Sequence, residues 1–128
     1  MPVTAVRVFQ DADGVSPFLT WLNELEKDEP DAYAKCVHLI LALHQHGHQL
    51  RRPMADALRD GIHELRARKG RVHYRILYGF YGRHAAVLCH GVTKEDRVDA
   101  NDIDLAAKRL VLVKKNAERY TADLETEE

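Results

Sequence analysis

Residues 58–94 read LRDGIHELRARKGRVHYRILYGFYGRHAAVLCHGVTK. Three runs rich in β-branched and aromatic residues, Ile62–Ala67, Val72–Tyr78 and Ala85–Val92, are separated by Arg68-Lys69-Gly70 and Tyr81-Gly82-Arg83. Short strands punctuated by glycine-containing turns predict an antiparallel three-stranded meander. The charge is concentrated in the same region. From Arg51 to Lys94 there are ten Lys/Arg against three acids, a net +7, whereas residues 1–50 and 95–128 each carry −4. A chain of net charge −1 thus holds a basic sheet between two acidic regions. Such a patch suits a polyanion, because phosphate contacts dominate nucleic-acid affinity. The near-neutral whole, with a pI of about 6.7, argues against indiscriminate binding.

Upstream, Val3–Phe9 reads as a strand and Asp11–Gly14 as a turn. Ser16-Pro17 predicts a helix start, since serine accepts from orphan N–H groups and proline is preorganised for the first turn. Glu29-Pro30 opens a second helix, whose apolar residues Tyr33, Cys36, Val37, Ile40 and Leu43 follow helical spacing to a stop at Gly47. A last helix is expected from Asp99 or Asn101 to about Asn116, with Ile103, Ala106, Ala107, Leu110 and Val113 as its apolar stripe. Residues 118–128 are polar and expected to fray. The predicted order is β-α-α-β-β-β-α, an α+β fold in which residues 1–128 form one domain.

No apolar run reaches the ~20 residues of a membrane span, and no apolar leader is evident, so a cytoplasmic protein is expected. Cys36 and Cys89 lie in apolar runs and read as core thiols in a reducing compartment. His44, His46 and His48 resemble a metal set, but Gly47 interrupts the helix and no acid or cysteine is near. No metal site is therefore expected.

The runs Leu58–Arg66, Tyr74-Arg75-Ile76-Leu77-Tyr78 and Leu88–Lys94, followed by Ala106-Ala107-Lys108-Arg109 and preceded by Ser16-Pro17-Phe18, together resemble the phage-derived HigB-like branch of the RelE/ParE toxin superfamily. The resemblance covers roughly residues 7–112 in order. It implies a small, mainly antiparallel twisted sheet with two N-terminal helices on one face and a C-terminal helix. It implies a type II toxin held by a helix-turn-helix, HigA-like antitoxin, and an activity as an mRNA endoribonuclease on the ribosome. In that chemistry the ribose 2′-OH attacks the phosphodiester, so neither metal nor organic cofactor is expected.

Arg66 and Arg75 match the arginines of the ELR and YR strands, and planar guanidinium groups suit bidentate phosphate contact. Lys94 matches the lysine after the third strand, where it either holds phosphate or, with a lowered pKa, acts as base. His73 shares strand parity with Arg71 and Arg75 and is the best-placed histidine for proton transfer. Arg66, Arg75, His73 and Lys94 are the catalytic candidates; Arg68, Lys69, Arg71 and Arg97 are candidate RNA contacts. His63 is expected to pack, His90 to hydrogen-bond structurally, and Tyr74, Tyr78, Phe18 and Trp21 to be core. One departure from the family pattern is Glu95-Asp96, where a second basic residue usually follows the lysine; another is Ala100 in place of a proline. Two non-catalytic alternatives share the fold: a gyrase-type inhibitor, and a degenerate homologue that binds an antitoxin or phage partner without cleaving.

Overall fold

The structure, a computed structural model, describes residues 3–94 and 98–124. The Arg97 candidate, the Glu95-Asp96 pair and tail residues 125–128 lie outside the described residues. The elements are β1 (Ala5–Phe9), α1 (Pro17–Asp28), α2 (Pro30–His46), a 3-10 turn (Gly47–Gln49), β2 (Ala55–Ala57), β3 (Ile62–Lys69), β4 (Val72–Tyr81), β5 (Ala85–Lys94), α3 (Ala100–Lys115), α4 (Ala117–Tyr120) and β6 (Thr121–Asp123). The fold is mixed α+β. All six strands form one sheet in the order β2-β3-β4-β5-β1-β6. The β3-β4-β5 meander is antiparallel, and β1 joins it parallel to β5.

Local signals end the helices where the sequence indicates. Ser16 Oγ accepts from Leu19 N–H, with Pro17 first in α1. Gly47 closes α2 at a φ of 52°, a conformation that favours glycine. Asp99 caps α3 by accepting from Asp102 N–H. The meander turns are shorter than expected. Lys69 already pairs with Val72, so only Gly70-Arg71 connects β3 to β4, with Gly70 at φ 62°. Arg71 therefore belongs to the turn, not to the strand face of His73 and Arg75.

Two cores sandwich the sheet. On one face, α1 and α2 bring Phe18, Leu22, Leu25, Cys36, Leu39 and Leu43 against Val8, Leu65, Tyr74, Ile76, Tyr78 and Leu88. On the other, Ala106, Leu110 and Val113 of α3 meet Phe9, Ile62, Leu77, Val87, Cys89 and Val92. Phe18, Tyr74 and Tyr78 are core, as expected. Trp21 lies half-buried over Gly91, where a Cβ would overlap its ring, and donates to Thr93 Oγ1 at 2.9 Å. Cys36 and Cys89 lie in different cores and are free thiols, each pushed up to about 12 by burial. No helix among the described residues is long and apolar enough to cross a membrane.

The tail departs from expectation. Residues 118–123, expected to fray, lie in α4 and β6, and β6 pairs antiparallel with β1. The cause is tertiary: Arg7 binds Thr121 Oγ1 at 3.0 Å and Asp123, while Gln10 donates to the Arg119 carbonyl. The rings of Phe9 and Tyr120 lie parallel, with centroids 6.3 Å apart. Strand β1 is internal, between β5 and β6, and the short strands β2 and β6 form the edges of the sheet.

A β-bulge breaks the register of β4 and β5. Leu77 pairs with His90 and Tyr78 with Leu88, leaving Cys89 without a partner. Its carbonyl accepts instead from Arg109 Nη1 at 2.7 Å, and that guanidinium lies 5.3 Å from the Phe9 ring centroid. Arg109→Met removes the donor and leaves a buried carbonyl unsatisfied. A loss of roughly 1–3 kcal/mol is expected, readable as a lower midpoint in denaturant unfolding. An unchanged midpoint would show that water replaces the guanidinium.

Candidate nucleic-acid interface

Cross-strand partners in an antiparallel sheet share a face, so the register specifies which side chains meet. On the α3 side they form three rows: Asp56, Glu64, Leu77 and His90; then Arg66, Arg75 and Val92; then Arg68, His73 and Lys94. The bulge makes the third column possible. Before it, Val87 and Cys89 face α3; after it, His90, Val92 and Lys94 do. Helix α3 covers Leu77 and Val92, and the Arg66, Arg68 and His73 end of the grid lies beyond that apolar contact.

The structure brings Arg66, Arg75, His73 and Lys94 onto this face, together with Arg68. It separates Lys69, which points to the α1/α2 side, with its ammonium 3.1 Å from Glu29 Oε1 and 3.6 Å from Asp31 Oδ2. Arg71 is exposed in the turn. His63 stacks on Tyr78, with centroids 5.3 Å apart, on the α1/α2 side.

Glu64 lies at the centre, and sequence reading did not single it out. It is only 5% exposed. Arg75 Nε stands 3.3 Å from its Oε1, and Arg66 Nη1 3.8 Å from its Oε2 and 3.9 Å from Asp56 Oδ2. Burial pushes the Glu64 carboxyl above its ordinary value, against the opposing pull of Arg75 and then Arg66. A carboxylate raised by burial beside guanidinium groups is a common general-base environment. The available signal was parity: Glu64 alternates with Arg66 and Arg68 along β3 and so must share their face.

At the other end, Asp102 of α3 binds two residues of β5. Its Oδ1 is 2.9 Å from His90 Nε2, and its Oδ2 accepts from Lys94 Nζ at 2.8 Å. Asp99 accepts from the same ammonium at 2.6 Å. Hydrogen bonds to Asp102 and then Asp99 raise the Lys94 pKa. This corrects the lowered pKa considered for a Lys94 base: the group is held as a cation. His90 is half-buried, and its Nδ1 lies 3.5 Å from Arg109 Nη1. The other histidine cluster is dispersed, with His44 Nδ1 2.7 Å from the Thr4 carbonyl and His48 stacked on Phe80.

The family model described as phage derived protein Gp49-like (DUF891) matches residues 20–111, more than two thirds of the chain. The chain belongs to this Gp49-like family. The matched span contains α2, β2 through β5 and every residue of the three rows. No curated protein matches the chain.

Glu64 supplies a direct test of the site's electrostatics. In a carboxyl-carbon NMR titration its midpoint is expected above the ordinary 4.5. Arg75→Gln should move it higher, because Arg75 is the largest influence pulling it down. The folded state then favours the neutral acid. The group's contribution to stability is complete below 4.5 and is lost as pH rises through the folded midpoint. A midpoint at or below 4.5 would mean that the arginines outweigh burial.

Proposed function

We propose that this protein is a toxin of the HigB-like branch of the RelE/ParE superfamily, a metal-independent endoribonuclease that cuts mRNA on the ribosome. A cognate helix-turn-helix antitoxin would be its neutralising partner. The observation that carries the reading is Glu64 between Arg66 and Arg75, on the same sheet face as His73 and Lys94. Membership of a phage-derived family supports it.

Each group has a role in this chemistry. Glu64 takes the proton from the ribose 2′-OH as its oxygen attacks the adjacent phosphorus. The P–O5′ bond breaks, leaving a 2′,3′-cyclic phosphate and a 5′-hydroxyl. Arg66 and Arg75 hold the non-bridging oxygens as charge builds on them, which is usually the largest single contribution to such a rate. His73 returns a proton to the leaving 5′-oxygen. Lys94, held protonated, adds positive charge beside His73, and Arg68 tracks the strand backbone.

A second reading has its own observation. Lys94 is already bound by two carboxylates, so phosphate must compete for it. That favours a non-catalytic toxin-fold protein that binds an antitoxin, gyrase or phage partner.

Radiolabelled amino-acid incorporation after induced expression in a bacterium separates the two. Wild type is expected to halt translation rapidly. Arg66→Ala with Arg75→Ala should lose the effect, as each oxyanion-type donor contributes about 10²–10³ in rate. Glu64→Gln should slow cleavage by about 10²–10⁴, while circular dichroism shows the fold retained. Loss of translation that survives all three changes would sink the ribonuclease reading.

A further inference from the structure

We propose that the cavity at the β2 edge, whose ring wall lies on the opposite side of the sheet from Glu64, is a nucleotide-binding site: it takes an aromatic base among its rings and a phosphate on Arg51. The cavity has a volume of about 420 Å³, within the roughly 300–1,000 Å³ typical of small-ligand sites. Its walls come from the 3-10 turn, β2, β3 and β4, and the functional reading above uses none of its rings.

Four rings define the interior. His48 stacks on Phe80 with centroids 3.7 Å apart, and His63 lies against Tyr78 at 5.3 Å and edge-on to Phe80 at 5.3 Å. Tyr78 is buried and Phe80 half-buried, so this wall is fixed by the core behind it. Burial and then the neighbouring His48 lower the His63 pKa, which favours the neutral imidazole. Flat rings give a base a stacking surface, as aromatic platforms do in single-strand binders.

The rim provides the second half of the specificity. Arg51 and Arg52 both line the cavity. Arg52 is engaged by Asp56, with Nη2 and Oδ2 2.9 Å apart. Arg51 is exposed and has no ion-pair partner among the described residues. A planar guanidinium beside an aromatic-walled hollow matches a ligand with a flat ring at one end and a phosphate at the other. The remaining titratable groups at the cavity are His48, His63, Asp56 and Tyr78, whose phenol is pushed up to about 12 by burial, so its balance is cationic.

The same chemistry has two sources, a free mononucleotide or one nucleotide of an RNA strand bent round the β2 edge. NMR titration of the full chain with 5′-AMP, ribose 5-phosphate and a short single-stranded RNA tests the site and separates them. AMP is expected to shift the His48, His63 and Phe80 signals saturably, with ribose 5-phosphate at least tenfold weaker. Arg51→Ala, a substitution of an exposed side chain, should weaken AMP about tenfold with the rest of the spectrum unchanged. Arg66→Ala with Arg75→Ala should leave AMP binding intact, so the result does not depend on the ribonuclease reading. Tighter binding of RNA than AMP at these signals assigns the site to a strand; equal or weaker binding assigns it to a free nucleotide. Absence of saturable shifts, shifts confined to the Glu64 face, or ribose 5-phosphate binding as well as AMP would each overturn the proposal.

Discussion

One unpaired residue in β5 governs the arrangement of this molecule. The strand is buried on both faces, with Ala86 and Leu88 toward α1/α2 and Val87 and Cys89 toward α3. Strict alternation past Cys89 would turn His90, Val92 and Lys94 to the α1/α2 side. The bulge resets the phase, puts these three residues beside Arg75 and His73, and leaves Gly91 facing the Trp21 ring. Bulges re-aim side chains in this way at the expense of a ladder hydrogen bond. Here Arg109 satisfies the liberated carbonyl, so a single α3 side chain supports the geometry of the whole basic face.

The energetic consequence is a sheet that differs on its two sides. The α1/α2 face is largely apolar, and Lys69 on it is neutralised by the acids that open α2. The α3 face is only partly covered, and the uncovered part holds a buried carboxylate between two arginines. Burying such a group is unfavourable unless it is paired. A position that served stability alone would more simply hold an apolar residue. Glu64 therefore marks a place where the fold tolerates a local penalty, and such places concentrate at functional sites.

Much of this was legible in the residues, and the illegible parts share a physical cause. Ser16-Pro17, Gly47 and Asp99 announce helix ends because capping is local. The meander is legible because β-branched residues and glycine turns are local too. Strand β2 is the three residues Ala-Asp-Ala, with no pattern of its own; pairing with β3 makes it a strand. Strand β6 exists because Arg7 and Phe9 need partners 111–116 residues away. The bulge was invisible because a run apolar on both faces carries no phase information. Arg66, Arg75, His73 and Lys94 do share a face, but the burial of Glu64 and the acids on Lys94 are long-range facts that charge counting cannot supply.

The acids on Lys94 decide what that lysine can do. Asp99 and Asp102 stabilise the ammonium form, so Lys94 holds its proton through the neutral range and cannot serve as the base. Glu64, raised by burial, is the carboxyl with the opposite tendency. The two ends of the grid thus have their acid–base properties pushed apart, the arrangement expected where one group must accept a proton and another must stay cationic. The two carboxylates differ in how firmly they hold. Asp99 is half exposed, whereas Asp102 is largely covered and also anchors His90. An approaching phosphate would displace Asp99 from the ammonium first, because an exposed pair is screened by solvent and salt. Asp102 would keep Lys94 aimed at the sheet. On the proposed ribonuclease reading, the acidic start of α3 is less a block than an exchangeable counterion for Lys94.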